Sequence, residues 1–131
     1  MKKYPFAVLV LAVLILAACG GSSEPATPES VPAEYAGKTN PLGADAATQG
    51  AKVFQVNCES CHGSQGHGDG PAGEFLDPKP KNLPDLAAQV EDDFLFWRIS
   101  TGKPGTSMAP WAGILTDEQI WQTISFIRTL K

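Results

Sequence analysis

The sequence predicts a small all-α domain over residues 42–131, preceded by segments that contribute nothing to a core. Three observations predict it: three stretches with apolar residues at helical spacing, Gly/Pro-rich loops between them, and no sustained alternation of β-branched residues. The chain has 131 residues, 43% of them hydrophobic, and a formal charge of −4. That length leaves room for one modest domain and argues against an enzyme with separate cofactor and substrate domains. The acid excess argues against nucleic-acid binding, which leaves a basic footprint.

In chain order, the first element is an address. Lys2 and Lys3 precede an unbroken apolar run, Phe6 to Ala18, whose 13 residues fall short of the ~20 that span a bilayer and suit a signal-peptide core. The run ends in Leu16-Ala17-Ala18-Cys19, which resembles the bacterial lipoprotein signal. Residues 1–18 are therefore expected to be a lipoprotein signal peptide and Cys19 the lipidated N-terminus of an exported protein. The anchor would hold the domain at a membrane, on its extracytoplasmic or periplasmic side. An ordinary secretory signal or a short buried helix is the alternative. Loss of Lys2 and Lys3 would take the charge from −4 to −6.

Residues 19–41 are expected to be a flexible linker. From Gly20 to Pro41 there are four prolines, three glycines and almost no large apolar side chains, too little to repay the entropy of ordering. A surface loop packed on the domain is the alternative.

Within the domain, Asp45 can cap a first helix in which Ala47, Gly50 or Ala51, Phe54 and Cys58 recur at helical spacing. Asp92 or Asp93 can cap a second, running through Phe94 to Thr101 and closed by Gly102. Thr116 and Gln119 form a capping box for the third, whose face is Ile120, Ile124 and Ile127. A weaker turn covers Asp85 to Val90. The domain holds only 15 Leu, Ile and Val and eight Phe and Trp, a thin core for its size, so another group is expected to fill its centre.

Cys58-Glu-Ser-Cys61-His62 supplies the C-x-x-C-H spacing of c-type haem attachment. Two thiols one helical turn apart can add to the two vinyl groups of haem, and the next residue offers an imidazole to the iron. Thioredoxin-type redox chemistry belongs with a βαβ pattern that is missing here. Zinc would need Cys58, Cys61, His62 and His67 to converge, which adjacent Cys61 and His62 resist, and no distant second pair of ligands exists. One covalent haem c with its iron is therefore expected.

The second axial ligand follows by elimination. Once the signal is removed, Met108 is the one methionine and His67 the one other histidine. His67 lies five residues past His62, too close to reach round a porphyrin. Met108 sits in Gly105-Thr-Ser-Met-Ala-Pro110-Trp111, between the second and third helices. His62 and Met108 are thus the expected iron ligands. Lys79, Lys81 and Lys103 are rivals, disfavoured because an exposed lysine is normally protonated.

Over nearly the whole of residues 42–131 the chain resembles the bacterial class I mono-haem cytochromes c. The resemblance rests on Gly50-x-x-x-Phe54 ahead of Cys58, the CESCHG run, the GHGDGPAG loop, the ISTGKPGTSMAPW loop and a last helix ending ISFIRTL. It implies a small fold with helices packed round the haem and a close crossing of the terminal helices at Gly50 against Phe126. It also implies that a proline carbonyl, best matched by Pro71, accepts from the proximal imidazole, and that Trp97 and Trp111 pack on the porphyrin or near its propionates.

An iron ligated by both His and Met has no open position, so outer-sphere transfer of single electrons between respiratory or photosynthetic partners is the expected function. No small-molecule substrate is expected, and the partners would be redox proteins, attracted through basic docking surfaces. A fixed haem subunit of a larger respiratory complex is the second expectation; a haem peroxidase or gas sensor is a third, which requires Met108 to be absent from the iron.

Overall fold

A computed structural model of the chain describes residues 29–43 and 45–131. The expected signal peptide and Cys19 lie outside the described residues. Among these the fold is helical, with no strand and one isolated bridge between Ala112 and Leu115. The helices are α1 (Ala46–Asn57), α2 (Glu59–His62), α3 (Leu83–Ala87), α4 (Asp92–Thr101) and α5 (Asp117–Ile127), with a single 3₁₀ turn at Gly73–Phe75. None is long and apolar enough to cross a membrane.

The three expected helices are α1, α4 and α5. The Thr116 hydroxyl accepts from the Gln119 N–H and the Gln119 side chain accepts from the Thr116 N–H, closing the capping box of α5. Asp45 stands at the start of α1 without a side-chain capping bond. Glu91, not Asp92 or Asp93, precedes α4, and both aspartates fall in its first turn, where they favour the positive helix end. The weak turn begins earlier than expected, because Asn82 caps α3 by accepting from the Asp85 N–H at 3.1 Å.

The core forms where α1, α4 and α5 meet. Phe54, Ile120, Thr123 and Ile124 are fully buried, and the Phe96 and Trp121 rings stack at 4.3 Å. α1 and α5 cross in contact at Gly50: a β-carbon there would lie 1.8 Å from the Gln122 carbonyl oxygen and 3.0 Å from the Phe126 β-carbon.

The expected linker boundary at residue 41 needs correction. Val31 and Tyr35 pack against the core, and the Tyr35 ring lies 6.3 Å from that of Phe96. Asn40 Nδ2 donates to the Trp121 carbonyl at 3.1 Å and to Ser125 Oγ at 2.9 Å. Residues 31–40 are thus a strap docked on α4 and α5. Averaging composition over the whole stretch hides the two apolar side chains and one amide that hold it down.

Candidate functional site: a cavity lined by two thiols, an imidazole and a thioether

The attachment motif is built by a break between two helices. Cys58 ends α1, its N–H donating to the Phe54 carbonyl at 2.8 Å, and the same residue opens α2. The N–H groups of Cys61 and His62 both donate to the Cys58 carbonyl, at 3.1 and 2.9 Å, so the two cysteines stand one turn apart. The glycine-rich loop after the motif folds back on this turn: Ala72 N–H donates to the Ser60 carbonyl at 2.8 Å. A β-carbon on Gly73 would meet the Cys61 carbonyl oxygen at 2.3 Å, so only glycine allows the approach.

Cys58, Cys61 and His62 line a cavity of about 620 Å³, a size typical of cofactor pockets, whose walls are mainly apolar. Cys58 and Cys61 are not joined in a disulfide. Burial pushes the Cys58 thiol up to about 12, with a smaller contribution from Cys61. Burial also holds the His62 imidazole below its ordinary range, and the Lys81 backbone only partly offsets this. The imidazole is therefore neutral at pH 7, with a ring nitrogen available to a metal. His62 Nδ1 is buried and has no hydrogen-bond partner.

Met108 lines the same cavity. Gly102, at φ 68°, ends α4, and a β-carbon on it would come within 2.4 Å of the Met108 carbonyl oxygen. That carbonyl accepts from the Lys103 N–H at 3.0 Å, and the Met108 N–H donates to Thr106 Oγ1 at 3.2 Å. Trp111 also lines the cavity, its N–H donating to the Ile99 carbonyl at 3.1 Å. The rival lysines Lys79, Lys81 and Lys103 border the cavity as well. His67 lies elsewhere, its Nε2 3.1 Å from the Lys131 carbonyl oxygen.

Two expected site residues, Pro71 and Trp97, do not line the cavity. Pro71 is exposed and outside the cavity lining, and makes no hydrogen bond to His62. The segment from Pro78 to Asn82 lines the cavity instead and brings the Lys81 backbone to the imidazole. Its signal in the sequence is Asp77-Pro-Lys-Pro80, where alternating prolines favour extended chain with unpaired carbonyls. Trp97 does not line the cavity; it packs edge-on against Phe94, and Arg98 Cζ stands 3.7 Å from its ring centroid. Arg98, which nothing in the sequence singles out, is buried and does line the cavity.

These residues fit a c-type haem. Among the described residues no three His, Cys, Asp or Glu side chains converge as a metal-ion site would require. What the fold offers is two thiols and an imidazole along the wall of an apolar space, which suits a large flat ligand attached at several points.

A family model described as cytochrome c oxidase, cbb3-type, subunit III, matches residues 45–127. The chain belongs to this cytochrome c family. Membership implies covalent haem c with its iron, and electron transfer is the role such a domain carries. No curated protein matches the chain. Among solved structures it is similar to the Kuenenia stuttgartiensis reducing HAO-like protein complex, with a TM-score of 0.57 and 21% identity over 81% of this chain and 48% of that one. The KustC0563 c-type cytochrome gives 0.54 and 23% over 63% and 96%. Cytochrome CL of Methylophaga aminisulfidivorans gives 0.50 and 25% over 65% and 55%. The cytochrome c domain thus spans about half the length of the first and third of these.

Proposed function

We propose that the chain is a mono-haem electron carrier, tethered to a membrane by lipid on Cys19 and exchanging single electrons with redox protein partners. The observation that carries this is the convergence of Cys58, Cys61, His62 and Met108 on one cavity. Cys58 and Cys61 would hold the group through thioether bonds, and the neutral His62 imidazole and the Met108 thioether would ligate its iron. When bound, haem c supplies an iron that accepts and releases one electron. The apolar walls would keep water from the group, and two protein ligands would leave no place on the iron for substrate. The single C-x-x-C-H run in the sequence supports one haem. The acidic balance favours partners with a basic docking face, through an attraction that weakens with salt.

A second reading, a fixed subunit of a respiratory assembly, is favoured by the family's description as an oxidase subunit. Intact mass and an optical spectrum on protein from its native membrane test both. A mass carrying one haem and lipid at Cys19, with a low-spin spectrum in a separable monomer, supports the carrier. Stoichiometric co-purification with a membrane complex supports the subunit, and protein without covalent haem rejects both.

A further inference from the structure

The strap and the residues ahead of it are pinned to the domain along their length. Glu29 lines the cavity, where its carboxylate accepts from Lys103 Nζ at 2.6 Å. Val31 and Tyr35 pack on the core, and the Tyr35 and Ala36 N–H groups both donate to the Pro32 carbonyl, at 2.9 and 3.0 Å, closing a turn. The Gly37 N–H donates to Asp93 Oδ2 at 2.8 Å, Lys38 Nζ stands 5.8 Å from the Phe96 ring centroid, and Asn40 holds α5. The chain therefore leaves the domain at Glu29, on the edge of the cavity, and not at Pro41.

That exit point changes the reach of the proposed anchor. Cys19 and Glu29 are 10 residues apart, whereas Cys19 and Pro41 are 22 apart. A fully extended chain spans about 3.5 Å per residue, so the docked strap cuts the greatest reach from about 75 Å to about 35 Å. A domain of this size has a radius of gyration of about 13 Å, which corresponds to a sphere about 17 Å in radius. With the Glu29 edge turned squarely away from the membrane, the chain would have to run round the domain for more than ~40 Å. The longer segment could do this and the shorter one cannot. A soluble protein arrives from the aqueous side, which the edge cannot squarely face. A protein embedded in the same membrane presents its surface in the layer where the edge is held, and one tether raises the effective concentration of each for the other.

We propose that the strap holds the Glu29 edge of the cavity within about 35 Å of the lipid surface, and that the electron partner is a protein embedded in the same membrane. The inference rests on lipid at Cys19 and haem in the cavity, both part of the proposed function.

The test uses the lipidated, haem-loaded protein on phosphatidylcholine vesicles carrying a headgroup fluorophore, which haem quenches by energy transfer at short range only. A Gly/Ser insertion before Glu29 lengthens the tether and should cause a loss of quenching. The same insertion after Gly43 should leave quenching in place, because it lies beyond the docked strap. The double variant Tyr35→Ala with Asn40→Ala frees the strap and should lose quenching as the first insertion does. Equal loss from both insertions overturns the inference, as does an insertion before Glu29 without effect. Should the insertion after Gly43 fail to fold, the double variant decides, and wild-type quenching in it overturns the inference. Washed native membranes should turn over the haem of the bound protein without the soluble fraction; a requirement for that fraction overturns the membrane partner. Wild-type protein that does not bind vesicles removes the lipid assignment as well, whereas bound protein with equal losses removes this inference only.

Discussion

Gly50 on α1 lies directly against the Gln122 carbonyl oxygen on α5, which a β-carbon at residue 50 would approach to 1.8 Å. Backbone, not a flexible side chain, occupies that place, so the helices would have to separate to admit even a methyl group. Alanine at an ordinary helix position is favoured over glycine by about 1 kcal/mol. Here separation would loosen the Phe54–Phe126 contact, whose rings are 5.2 Å apart, and overpacking of this kind costs about 1–3 kcal/mol or more. Gly50→Ala is therefore expected to destabilise the haem-loaded protein in chemical denaturation. Equal or higher stability would mean that the crossing is looser than described.

Arg128 ties the end of α5 to the chain between α3 and α4. Its guanidinium donates to the Ala87 carbonyl, to the Val90 carbonyl at 2.9 Å and to Asp92 Oδ1 at 2.9 Å. Arg128→Ala should cost about 1–2 kcal/mol, because the partly buried Ala87 carbonyl loses its donor while water replaces the one at the exposed Val90 carbonyl. The Asp92 pair is part-exposed and contributes little of this. The loss should persist in ~1 M salt, where an exposed ion pair is screened. A loss that vanishes in salt would assign the contact to charge alone.

The parts of the fold legible in the sequence were those set by local chemistry. The Thr116–Gln119 capping box, the isoleucine face of α5 and the Gly102 stop are written within a few residues, and Cys58-x-x-Cys61-His62 depends on one helical turn. What escaped was decided by distant packing. Pro71 matched a family pattern in spacing, but whether its carbonyl or the Lys81 backbone meets His62 depends on how two loops fold over each other. The resemblance implies a cofactor role for Trp97, yet it is Arg98, one position along the helix, that lines the cavity. Composition does not decide between a flexible linker and a packed loop, because Tyr35 and Asn40 are valuable only opposite Phe96, Trp121 and Ser125, which lie over 50 residues away.

Asn40 gives the strap a direct test. Besides its two donations to α5, its Oδ1 accepts from the Leu42 N–H at 3.0 Å, so one side chain satisfies three partly buried groups. Asn40→Ala should lower stability by about 1–2 kcal/mol, since hydrogen bonds that leave unsatisfied partners cost more than those exchanged for water. Amide exchange should quicken first over residues 31–40, with α1 and α5 still protected, because the strap opens locally. A neutral substitution with no change in exchange would restore the flexible-linker expectation.

Met108 carries the prediction that separates electron carrier from haem enzyme. It lines the cavity with Cys58, Cys61 and His62, while its loop is fixed from both ends by the Lys103–Met108 and Ile99–Trp111 backbone bonds. That loop should keep its shape in Met108→Ala, since no hydrogen bond uses the thioether. The variant should keep haem covalently through both cysteines, giving an intact mass lower only by the side-chain difference. With one axial ligand gone, the ferrous protein should bind carbon monoxide readily, whereas wild type should not. The potential should fall, because a thioether favours ferrous iron. Lys79, Lys81 and Lys103 border the same cavity and are the rival ligands for the place the thioether leaves. An optical spectrum in Met108→Ala identical to wild type at neutral pH would show that the thioether never held the iron, and ready carbon monoxide binding by wild type would point to ligand chemistry instead of electron carriage.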